Sequence, residues 1–86
     1  MSPTVFRTEG FQFFFYSREE HEPPHIHVSK GGAVAKIWLD SLEVADIHGF
    51  NPSEQRRLMA IVREHRLELL EHWNEYFDEG TSRDRR

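Results

Sequence analysis

HIHVSKGGAVAKIWL, residues 25–39, holds two alternating apolar runs on either side of a glycine pair. Gly31-Gly32 reads as the two-residue turn of a β-hairpin, in the primed geometry that glycine admits. It joins a strand at His25–Ser29 to one at Ala33–Leu39. With the glycines central, Lys30 opposes Ala33, Val28 opposes Ala35, His27 opposes Lys36, Ile26 opposes Ile37 and His25 opposes Trp38. Side chains alternate between faces along a strand. Ile26, Val28, Ala35 and Ile37 therefore share one face, a core face. His25, His27, Lys36 and Trp38 share the other. A slip of one residue would exchange the two sets, so the apolar pattern specifies the register.

The N-terminal flank repeats the design. A strand at Pro3–Arg7, a tight turn at Glu9-Gly10 and a strand at Phe11–Tyr16 place Phe6 opposite Phe13 and Arg7 opposite Gln12. Phe6, Phe11, Phe13 and Phe15 join the core face, and Arg7, Gln12, Phe14 and Tyr16 the other. Ser17–Pro24 is a polar connection, and Pro23-Pro24 makes its end stiff and non-helical. Its acidic run, Glu19, Glu20 and Glu22, is expected to be a solvated loop.

Beyond the central hairpin, Leu42, Val44 and Ile47 mark either a short fifth strand or an irregular bridge. Asn51, Pro52 and Glu54 are an N-cap, a first helical residue and the third residue of a capping box. Leu58, Ile61, Val62, His65, Leu69, Trp73, Tyr76 and Phe77 follow at three- and four-residue steps. They predict one long helix over Pro52–Asp78, with a kink or break near His65 as an option, and Gly80 as its stop. The expected fold is α+β. An antiparallel meander of four strands, or five, has one face covered by a long C-terminal helix. Residues 1–79 form the single domain and 80–86 a disordered tail.

The chain of 86 residues has room for one domain. Seven Phe, two Trp and two Tyr supply burial. The absence of Cys excludes a disulfide scaffold and a thiolate metal site. No run approaches the roughly 20 apolar residues that span a bilayer. Met1-Ser2-Pro3-Thr4 does not resemble a signal peptide. A cytoplasmic protein with no membrane role is expected. The net charge is −4, and the residues after Gly80, with three Arg and one Asp, leave the body at −6. Such a body is a poor generic binder of nucleic acid, which requires neutralised phosphates.

The non-core face carries the candidate chemistry. In a simple meander, Arg7, Tyr16, His25, His27, Lys36 and Trp38 lie on it together. The plain expectation is a solvated sheet surface. Phe14, Tyr16 and Trp38 weigh against that, because exposed aromatic patches mark partners. As an anion site, Arg7 and Lys36 would hold phosphate, His25 and His27 would serve as acid and base, and Tyr16 or Trp38 would stack on a base. His25, His27 and Lys36 are then the candidate catalytic residues for RNA, with Arg7, Tyr16 and Trp38 binding. No cofactor is required. Alternatively His25 and His27, with His21 or Glu22 from the loop as a third, would ligate a divalent metal such as zinc. Lys36 opposite His27 disfavours that by charge. HEPPHIH, residues 21–27, is not a helical H-E-x-x-H zinc motif, because Pro23-Pro24 forbid the helix. His48, His65 and His72 are expected to be structural.

PTVFR at 3–7, FFFYSREEHEPPHIHV at 13–28, GGAVAKIWLD at 31–40 and ELLEHWNEYF at 68–77 together resemble a family of small bacterial proteins. That family is known as domain of unknown function 4160. The resemblance implies one half of a two-gene, toxin–antitoxin-like module, and hence a small cognate protein as partner. A homodimer is the other expected assembly.

Overall fold

The computed structural model describes residues 4–16 and 21–84, with side chains through Phe77. Pro3, Glu19, Glu20 and the last two arginines, on which some sequence expectations fall, lie outside the described residues. The chain runs β1 Thr4–Thr8, β2 Phe11–Phe14, β3 His25–Lys30, β4 Ala33–Trp38, β5 Val44–His48, α1 Pro52–Glu64 and α2 Arg66–Asp84. The strands form one antiparallel sheet in the order β1-β2-β3-β4-β5. The fold is α+β, and the fifth strand is present.

The two hairpins take the expected register. Lys30 pairs with Ala33, His27 with Lys36 and His25 with Trp38. Phe6 pairs with Phe13 and Arg7 with Gln12. Gly31 has φ +60°, which most side chains avoid. In the first turn both central residues are left-handed, Glu9 at φ 54° and Gly10 at φ 85°, and Arg57 of α1 clamps the Glu9 carboxylate. That bidentate ion pair holds the β1–β2 turn against the helix. The Arg57 hydrogen bond keeps the Glu9 carboxyl below its ordinary range, and Glu9 raises the Arg57 guanidinium in turn.

Phe13, Ile26, Val28 and Ile37 are fully buried on the covered face, beneath Leu58, Ile61 and Val62 of α1 and Leu69 of α2. Phe6 stacks on Phe13 with ring centroids 4.6 Å apart. The β5–α1 junction needs a glycine. A Cβ on Gly49, at φ +90°, would lie 3.1 Å from the Ala33 backbone. The capping box then starts α1 as expected. Glu54 N–H donates to Asn51 Oδ1 at 2.8 Å, and Asn51 N–H donates to Glu54 Oε1 at 3.0 Å.

The helical segment is two helices. His65, at φ −104° and ψ 15°, leaves the helical region and separates them. Its ring contacts Glu68 at 2.7 Å and packs 5.0 Å from Phe6. Arg66 donates to the carbonyls of Leu39 and Asp40, tying the junction to the end of β4. Gly80 does not stop α2, whose backbone stays helical to Asp84. Glycine weakens a helix by about 1 kcal/mol relative to alanine, and that alone does not end one. No helix among the described residues is long and apolar enough to cross a membrane.

Candidate functional site: the open sheet face

The face turned away from α1 is built from cross-strand rows. One row runs Thr4, Phe14, His27, Lys36, Asp46, one residue per strand. The row beside it runs Arg7, Gln12, Ser29, Val34, His48. A third holds His25 and Trp38, with Tyr16 two residues beyond Phe14. Five of the six residues singled out from the sequence thus lie on strands of one sheet and Tyr16 follows the end of β2, but their environments differ.

His27 sits at the centre, half-buried among rings. Phe14 stacks on it at 5.5 Å between centroids, and Tyr16 meets it edge-on at 4.4 Å. Phe14 and Tyr16 are themselves edge-to-face at 5.2 Å. Such geometries suit the quadrupoles of the rings and make a pre-ordered apolar surface. Tyr16 remains 45% exposed.

His25 departs from expectation. The strand alternation puts it on the exposed face, yet it has no exposed surface at all. Trp73 of α2 packs over its ring at 4.9 Å, and Trp38 stands edge-on at 5.5 Å. Its Nδ1 is 2.9 Å from the carbonyl oxygen of Pro23, so that nitrogen carries the proton and donates. The physical reason is the course of α2, which brings Trp73 and Phe77 to the end of the sheet against Phe15. There the helix covers one residue of the nominally open side.

Lys36 also differs from a free phosphate ligand. Its Nζ lies 2.5 Å from Glu22 Oε1 and 4.8 Å from the centre of the Trp38 ring. Arg7 is exposed on the edge strand β1. His21 is exposed where the described chain resumes. Among the described residues, no three of His, Asp and Glu are grouped to hold a metal ion. His48, exposed at the end of β5, lies 2.9 Å from Asp46. His72 is exposed on α2.

Sequence reasoning misses two participants and the role of a third. Glu22 is expected as loop charge or a metal ligand, and its pairing with Lys36 is not foreseen. Trp73 was read as core alone. Asp46 was not assigned a face, because a register shift between Lys36 and Ile37 interrupts the β4–β5 pairing.

The family comparison agrees with the motif reading. The family described as "Domain of unknown function (DUF4160)" matches residues 10–74, which hold most of the sheet, all of α1 and the first half of α2. The chain belongs to that family. No curated protein and no solved structure matches it.

Proposed function

We propose that this chain is the binding component of a bacterial, cytoplasmic two-protein module of the toxin–antitoxin type, acting by protein contact through its open sheet face. The observation that carries the reading is the aromatic surface of Phe14, Tyr16, His27 and Trp38, with Tyr16 45% exposed. Aromatic anchors ringed by polar residues are the usual core of a protein interface. The catalytic alternative draws less support. Of its three residues, His25 is buried beneath Trp73 and Lys36 is engaged by Glu22. The charges described on the face, Arg7, Lys36, Glu22 and Asp46, sum to zero, which offers a polyanion such as RNA little attraction.

Co-expression with the product of the neighbouring gene tests this. A complex should form, and Tyr16→Glu or Trp38→Glu should abolish it while circular dichroism stays unchanged. A complex indifferent to both substitutions overturns the reading. So does RNA cleavage by the purified chain that disappears in His27→Ala.

A further inference from the structure

We propose that the outer edge of β5 takes up an extended acidic segment of a partner protein as a sixth strand, with Arg56 and Arg63 of α1 holding its carboxylates. This goes beyond the reading of the open sheet face and uses a different surface. The backbone comes first. Lys30 and Ala33 close the two-residue turn, so Ala33, Ala35 and Ile37 direct their backbone groups to β3, and Val34 and Lys36 direct theirs to β5. Trp38 follows the same rule, its N–H donating to the Glu43 carbonyl at 2.9 Å. His48 and Asp46, paired with Val34 and Lys36, therefore face β4. Ile47 lies between them and turns its N–H and C=O outward, where the sheet ends. Its N–H is met by the side chain of its own neighbour, Asp46 Oδ1, at 3.1 Å. An incoming strand supplies a carbonyl there and a donor for the Ile47 C=O.

The side chains around that edge set the chemistry of the segment. Ile47 opposes Ala35 and Val44 opposes Ile37, so both lie on the helix side of the sheet. Val44 is 43% exposed, and Ile47 and Met59 are only partly buried against the core. Arg57 reaches Glu9 at the β1–β2 turn. Gln55 and Met59 each stand two residues from Arg57, about 200° round the helix, and so face the β5 side. A groove of about 460 Å³ lies there, lined by Gln55, Arg56, Met59 and Arg63. Both arginines are exposed, and neither is in an ion pair among the described residues. They gather positive charge on a chain whose net charge is −4. Glutamates on the helix side of an added strand pass their stems over Val44 and Ile47 and their carboxylates to these arginines. The alternate residues come beside Asp46 on the open side and have to be uncharged. A second copy of this chain fits less well. Antiparallel pairing of β5 with its own copy would put both α1 helices on one side of the sheet, with their arginine flanks facing each other.

A fluorescein-labelled peptide of alternating Val and Glu, titrated against the full chain by fluorescence anisotropy, tests the proposal. It should bind, and the same peptide with Lys in place of Glu should not. The residue opposite Ile47 shares its face and its ladder bonds, so the glutamate nitrogens point at β5 and the valine nitrogens at solvent. Methylating the glutamate nitrogens should abolish binding, and methylating the valine nitrogens should spare it. Arg56→Glu with Arg63→Glu should weaken binding about tenfold, with circular dichroism confirming the fold. Tyr16→Glu should leave it unchanged, which separates this edge from the open face. No binding at about 1 mM peptide, or binding that survives methylation of the glutamate nitrogens, overturns the added strand. So does binding lost in Tyr16→Glu and kept in the double arginine variant, which would move the peptide to the open face. An RNA oligonucleotide that displaces the peptide and itself loses binding in the arginine variant would assign the groove to nucleic acid and overturn the proposal.

Discussion

One five-stranded sheet carries two faces that the same alternation separates and that meet different fates. On the covered face, Phe13, Ile26, Val28 and Ile37 are sealed under the helices. On the open face, Phe14, His27 and Trp38 are half-buried and Tyr16 is 45% exposed. Both faces are aromatic-rich, so hydrophobicity alone does not distinguish them. The covered face holds apolar residues with nothing to satisfy. The open face interleaves rings with Lys36, Asp46, Gln12 and Arg7, a mixture that suits contact with another macromolecule better than a closed core.

The sharpest way to break this comparison is to truncate one ring on each face. Phe13→Ala should cost about 3–5 kcal/mol. For a chain of this size that lowers the Tm by tens of degrees or prevents folding. Phe14→Ala should cost the isolated chain about 1 kcal/mol, as a half-buried position does, yet abolish association. Denaturant titration and light scattering on the two variants read both quantities. Equal losses of stability would mean that the open face is a second core.

The two histidines of β3 sharpen the comparison within a single strand. His25→Ala removes a ring packed against two tryptophans and leaves the Pro23 carbonyl without its donor, a loss of about 2–4 kcal/mol. His27→Ala should cost less than about 1 kcal/mol. Urea unfolding followed by tryptophan fluorescence reports the difference, with Trp38 and Trp73 both beside His25. If His27→Ala proves the more damaging, the roles assigned to the two rings are reversed.

A good part of the fold is legible in the residues themselves. The glycine turn and the Ile26, Val28, Ala35, Ile37 alternation set the central register without outside information. Asn51-Pro52-Ser53-Glu54 announces α1 by its own capping chemistry. The fifth strand was harder to read, because Leu42 takes φ 62° and the ladder shifts beside Ile37, so its apolar spacing does not repeat. The burial of His25 could not be read at all. It depends on Trp73, far along the chain, and on the angle at which α2 leaves His65. Helical periodicity tells which side of a helix faces the sheet, but not how far along the sheet that helix extends.

The metal alternative yields a smaller effect. Zinc in tenfold excess at pH 7.5 should shift the Tm by less than about 1 °C, since ligand linkage needs a site formed in the folded state. A rise of several degrees, lost in both His21→Ala and His27→Ala, would restore the metal reading and move the open face from docking to coordination.

Another small effect lies at the covered side's rim, where Glu9 and Arg57 join the first turn to α1. The Arg57 hydrogen bond holds the Glu9 carboxyl below its ordinary range. A carboxylate whose pKa is depressed on folding stabilises the fold above its unfolded pKa, and that contribution disappears as pH falls through the folded value. The window therefore opens near the ordinary glutamate pKa of about 4.3 and extends downward. Both partners are well exposed, with side chains 44% and 50% accessible, so screening by solvent and salt keeps the contribution slight. Glu9 also sits at φ 54°, where a non-glycine residue is strained, so Glu9→Gly removes the ion pair and the strain together. Arg57→Ala removes only the ion pair. Thermal melts between pH 3 and 7 should show Arg57→Ala about 1–2 °C below the parent at neutral pH and level with it at pH 3. Glu9→Gly should lie at or above Arg57→Ala throughout. A difference between Arg57→Ala and the parent that persists unchanged at pH 3 would show that Arg57 acts through packing of its stem and not through its charge.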